Sequence, residues 1–96
     1  MKYARVDANH HVIVDALRKY GASVQSLAAV GNGVPDLIVG WQGENFLMEI
    51  KDGDKSPSER KLTKDQVKWH GAWRGQVYIV TSSEEAIKTL QIQART

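Results

Sequence analysis

The sequence contains no cysteine, which excludes a disulfide framework, thiolate-held zinc or iron–sulfur centres, and a cysteine nucleophile. It has no apolar run near the ~20 residues needed to cross a bilayer. Its first stretch, Met1 to Asp15, mixes charges and histidines where a secretory leader would carry an apolar core. The chain is therefore expected to be neither exported nor membrane-spanning, and to work in the cytoplasm. At 96 residues it lacks room for a second domain or a repeat array. Residues 1–96 are expected to form one domain that buries roughly 60–70% of its unfolded surface.

Neither sign of charge dominates. Thirteen Lys and Arg against eleven Asp and Glu leave a net charge of +2 and a pI near 9.0, a mild bias toward polyanions. The placement of the cations is more informative. Lys51, Lys55, Arg60, Lys61, Lys64 and Lys68 crowd one stretch, diluted by Asp52, Asp54, Glu59 and Asp65. Such a stretch is either a solvated charged loop or a set of contacts to a DNA backbone.

Hydrophobic periodicity predicts the order helix, strand, strand, strand, helix, strand, helix, an α/β domain with helices on a mixed sheet. Ile13, Ala16, Leu17 and Tyr20 recur at helical spacing between Asp7 and Gly21, with Asp7 or Asn9 as N-cap and Gly21 as the stop. Ser23 to Leu27 is a short strand, and Gly31-Asn32-Gly33-Val34-Pro35 is loop chemistry. Two apolar runs, Asp36 to Trp41 and Glu44 to Lys51, flank Gln42-Gly43 and read as a hairpin. Asp52 to Lys61 is a polar loop. A helix then starts with Thr63 as N-cap, Gln66 completing a capping box, and Leu62 with Val67 as hydrophobic staple. Trp69 and Trp73 form its apolar stripe toward the sheet. The chain closes with a strand over Gln76 to Thr81 and a helix introduced by Ser82 and Glu85.

A two-residue turn at Gln42-Gly43 sets the hairpin register, and in that register Asp36 lies opposite Glu49. Opposed carboxylates destabilise a strand pair unless a cation or a shared proton lies between them. Two carboxylates with a nearby main-chain carbonyl suit a hard ion, Mg²⁺ or Mn²⁺. Lys51 lies two residues past Glu49 on the same face, placed to orient or deprotonate a water or to offset charge on a pentavalent phosphate. The parts describe metal-assisted phosphodiester hydrolysis.

Pro35-Asp36, followed after twelve residues by Glu49-Ile50-Lys51, resembles the PD-(D/E)xK nuclease signature. With the loop Gly31 to Leu37 and the downstream Leu62-Thr63, Gln66 and Trp69, the chain looks more narrowly like a stand-alone VRR-NUC (virus-type replication-repair nuclease) domain, from about Asp7 to Val80. The resemblance implies a restriction-endonuclease-like αβββαβ core. It implies a divalent metal held by Asp36, Glu49 and the main-chain carbonyl of Ile50, with Lys51 catalytic and Gln66 lining the site. It also implies a role in replication, recombination or repair, as in phage-encoded enzymes, and a homodimer acting on branched DNA such as a Holliday junction.

The chain departs from the family at one point. The first helix of the family presents an acid toward the metal, and here the helix has no glutamate. Asp7, Asn9, His10 or a water are the candidates for that place. For Gln66 the capping box is an explanation that needs no active site, and Trp69 and Trp73 are more naturally core or interface than base-stacking residues. The leading expectation is a Mg²⁺- or Mn²⁺-dependent endonuclease on DNA, with no small-molecule cofactor and no membrane partner. The alternatives are a duplex-nicking or flap nuclease, and a DNA-binding module weakened in catalysis.

Overall fold

The computed structural model describes residues 7–94. Its elements run α1 (His10–Lys19), β1 (Ser23–Ser26), β2 (Leu37–Trp41), β3 (Glu44–Ile50), α2 (Lys64–Ala72), β4 (Tyr78–Val80) and α3 (Ser83–Gln93). The strands form one sheet in the order β1-β2-β3-β4, antiparallel at the first two junctions and parallel at the third. The predicted element order and the mixed sheet are thus present.

The hairpin register is the predicted one, with Leu37 opposite Met48, Val39 opposite Phe46 and Trp41 opposite Glu44. Gln42 and Gly43 both adopt positive φ, 49° and 79°, as a type I′ turn requires to match the right-handed twist of its strands. Alternation then sorts the side chains. Leu37, Val39, Phe46, Met48 and Ile50 enter the core with Ile13 and Leu17 of α1 and Ala86 and Leu90 of α3. Ile38, Leu47 and Glu49 take the opposite face by the two-residue period, where α2 lies.

Each helix boundary has a local cause. Gly21, at φ 106°, follows α1, and the Ala22 N–H returns to the Leu17 carbonyl in a glycine-closed stop. Thr63 and Gln66 make the full reciprocal capping box of α2. Ser82 caps α3 by accepting from Glu85 N, but the Glu85 carboxylate bonds the N–H and hydroxyl of Thr81 instead of closing back on Ser82.

Three expectations need correction. Asn9 is the N-cap residue of α1 yet its side chain makes no cap bond; its Nδ2 donates instead to the carbonyls of Lys51 and Thr81. Val67 is 57% exposed, so the staple to Leu62 does not bury it. The Trp69–Trp73 stripe does face the sheet side, but no residue of α2 is buried and Trp73 is 47% exposed. The helix is held over the sheet by polar bonds rather than by a closed apolar seam. Among the described residues, no helix is long and apolar enough to cross a membrane.

Candidate active site

The amino end of β2 and the carboxyl ends of β3 and β4 bring the polar groups together. Asp36 directly precedes β2; its carbonyl accepts from Leu27 N at 2.7 Å and its Oδ2 accepts from Ile50 N at 2.7 Å. That second bond fastens the loop before β2 to the end of β3 and puts the Asp36 carboxylate against Glu49. Glu49 is 1% exposed. Lys51, also buried, donates its own N–H to the Val80 carbonyl, so β4 fixes its backbone.

Burial pushes the Glu49 carboxyl up to about 9, assisted by its hydrogen bond to Asp36 and by that neighbour's negative charge, with Lys51 pulling the other way. Glu49 therefore keeps its proton at neutral pH when no cation is bound, the outcome expected of a buried acid beside a second carboxylate.

The helix α2 completes the cluster through one side chain. Gln66 Nε2 donates to Glu49 Oε2 at 3.0 Å, while Gln66 Oε1 accepts from Lys51 Nζ at 2.6 Å and from Thr63 N at 2.9 Å. One amide thus makes both the helix cap and the contacts to Glu49 and Lys51. One turn further along, His70 places Nε2 3.8 Å from Glu49 Oε1. Burial, and then the Lys51 charge, lower the His70 pKa. With His70 neutral and Glu49 protonated this is a polar contact, not an ion pair. The spacing of four between Gln66 and His70, which places both on one helix face, is the signal in the sequence for this contact.

Asp36, Glu49, Ile50, Lys51, Thr63 and Gln66 line one open cavity of about 420 Å³, and Asp7 and Lys55 complete its walls. Of the three residues offered for the missing helix acid, only Asp7 is in this wall. Asn9 donates instead to the carbonyls of Lys51 at 3.2 Å and Thr81 at 3.0 Å, clamping the ends of β3 and β4 from behind. His10 does not line the cavity. Among the basic residues, Lys55 reaches the cavity, Lys61, Lys64 and Lys68 are exposed, and Arg60 is half-buried.

The donor set fits a hard divalent cation. Glu49 Oε1 is buried without a hydrogen-bond partner, and burial, assisted by the adjoining Asp36, holds Glu49 in its acid form. Among the described residues no three His, Cys, Asp or Glu side chains converge. An ion here would rely on two carboxylates, with main chain, water and phosphate supplying the remaining oxygens, which is the habit of Mg²⁺.

No family model and no curated protein matches this sequence. A solved structure described as a VRR_NUC domain matches it with a TM-score of 0.63 and 22% identity, covering 90% of this chain and 98% of that one. The chain has the VRR_NUC fold.

In this VRR_NUC fold the loop before β2 is shaped to admit α2. Gly33 has φ 81°, and a Cβ there would overlap the Asp65 carbonyl and come within 2.9 Å of Gln66 N. Both obstacles are backbone, so they cannot swing aside. Gly33→Ala is expected to cost about 1–3 kcal/mol in strain alone, and to push away the first turn of α2 together with Gln66. Urea unfolding checks the first effect. Proton-nitrogen spectra of the Gln66 side-chain amide check the second.

Proposed function

We propose that this protein is a Mg²⁺- or Mn²⁺-dependent DNA endonuclease hydrolysing phosphodiester bonds. The observation that carries the reading is the cross-bonded set Asp36, Glu49, Lys51 and Gln66, with Glu49 and Lys51 buried, on a VRR_NUC fold. Asp36, Glu49 and the Ile50 carbonyl would hold the ion, and Asp7 is the nearest candidate for an auxiliary acid. A bound ion of this kind supplies Lewis-acid polarisation of a phosphate and a more acidic water.

The chain's own residues do the rest. Lys51, its Nζ held by Gln66 Oε1, presents a cation where charge builds on the phosphate as water adds to phosphorus. The new P–O bond comes from water, the bond to the deoxyribose oxygen breaks, and that oxygen leaves with a proton. Lys55 at the cavity wall and the exposed Lys61, Lys64 and Lys68, with Arg60, provide phosphate contacts that position DNA without reading its sequence. Selection by DNA shape follows from so small a reader, and a homodimer with two such sites matches a two-fold branched junction. A role in replication, recombination or repair goes with that substrate.

The test is cleavage of labelled four-way junction, flap, duplex and single-stranded DNA with Mg²⁺, Mn²⁺ or EDTA, using wild type and Asp36→Asn. Metal-dependent cutting that the substitution removes is the expected result, with paired symmetric cuts in the junction if the dimer acts on it. Binding without cutting on every substrate would overturn the enzyme reading in favour of a DNA-binding module.

A further inference from the structure

A second cavity, of about 430 Å³, lies between α2 and the sheet, floored by Ile38 and Leu47 and walled by Trp69 and Trp73. The two indole rings stack on each other at 4.6 Å with planes 18° apart. The remaining polar chemistry of the lining is the side-chain amides of Asn45 and Gln76, and no acidic residue takes part. The cleft persists because α2 is suspended by Gln66 and its cap, with none of its residues buried against the strands.

Its position ties it to the carboxylates. Ile38 follows Asp36 by two residues and Leu47 precedes Glu49 by two, so cleft and site share one sheet face about 7 Å apart along each strand. The helix that supplies Gln66 to one supplies Trp69 and Trp73 to the other. A phosphate held at Glu49 and Lys51 therefore has an aromatic, amide-edged slot beside it. Aromatic faces with amide side chains are the chemistry that recognises an unstacked nucleobase, by stacking and by hydrogen bonds to its edge. A second copy of the chain is poorly matched, since a stable interface needs about 800 Å² from each partner, while Trp73 is the one large exposed hydrophobic in this concave lining.

We infer that this cleft is a nucleobase pocket, receiving an unpaired base next to the phosphate to be cut. The inference rests on the nuclease reading and narrows it to DNA with an unstacked nucleotide at the cleavage point, as at a flap or a branch. Bases kept stacked within duplex do not reach the slot.

The test is binding in EDTA, so that it stands whether or not the protein cuts. A 12-nucleotide single strand and the same strand with abasic sites are titrated against wild type, Trp73→Ala and Trp73→Leu. The leucine variant keeps an apolar cover without an aromatic face. Wild type is expected to bind the ordinary strand about tenfold or more tightly than the abasic one, with quenching of tryptophan emission. Both variants are expected to bind the two strands alike, with the abasic affinity unchanged, and Trp41→Phe is expected to behave as wild type. Equal wild-type affinity for both strands, or an unaltered preference in Trp73→Leu, would overturn the pocket. So would a dimer by light scattering that Trp73→Leu converts to monomer, which would make the cleft a contact between copies. Metal-dependent cleavage that ignores Trp73 and abasic substitution would remove this inference and leave the nuclease reading standing.

Discussion

Lys51→Ala is expected to slow DNA cleavage by about 10²–10⁴-fold, the range found when a positioned acid–base or charge-stabilising group is lost. The expectation rests on where the ammonium is held. Its backbone is fixed by the Val80 carbonyl and, through Asn9, by α1, while its Nζ is 2.6 Å from Gln66 Oε1. A group ordered at both ends loses little on reaching the transition state. Alanine also removes the positive charge that opposes the raised Glu49 pKa, so a divalent ion would have to displace a more firmly bound proton. Binding to a junction in Ca²⁺ is expected to change by only a few-fold, because the exposed lysines remain. Single-turnover cleavage beside gel-shift titration separates the two quantities, and a variant that cuts at the wild-type rate would remove Lys51 from the mechanism.

The second large effect is on stability. In EDTA, Glu49 titrates near 9 in the folded chain against 4.5 as its ordinary value. Between those values the folded state holds a proton that the unfolded state has released. The stabilisation is complete below the ordinary pKa and is lost as pH climbs toward 9, at up to about 1.4 kcal/mol per pH unit. Glu49→Gln keeps the shape, can accept from the Gln66 amide and can donate to Asp36 without any charge to release. The variant is expected to be more stable than wild type at pH 8, with the gap closing toward pH 5. Urea unfolding at four pH values measures the difference, and parallel profiles would show that Glu49 titrates normally. Millimolar Mn²⁺ is expected to stabilise wild type at pH 8 and not the variant, by mass action on the folded state.

Much of this was legible because it depends on local rules. A two-residue turn with a glycine fixes one register, and that register alone put Asp36 beside Glu49; the observed pairing of Leu37 with Met48 follows the same arithmetic. The Thr63–Gln66 cap was readable for the same reason, a fixed spacing of three. What escaped was decided by three-dimensional packing. Asn9 looked like a helix cap but spends its amide on Lys51 and Thr81, residues 42 and 72 positions away. No periodicity encodes such a contact. The Asp7 wall of the cavity depends on the path of the chain before α1, and the open cleft under Trp69 and Trp73 depends on how far a polar tether holds a helix from a sheet.

The triple use of the Gln66 amide sets how the sequence can change. Glutamate at position 66 would face Glu49 with a second negative charge, and asparagine is one methylene too short to span Thr63, Lys51 and Glu49 together. Drift that starts as a harmless weakening of a helix start would at once release the Lys51 ammonium. In a saturation library selected only for solubility, position 66 is expected to fill with other cap-compatible residues. Selected for cleavage, it is expected to return glutamine alone, so that the difference between the two libraries separates the amide's structural duty from its chemical one.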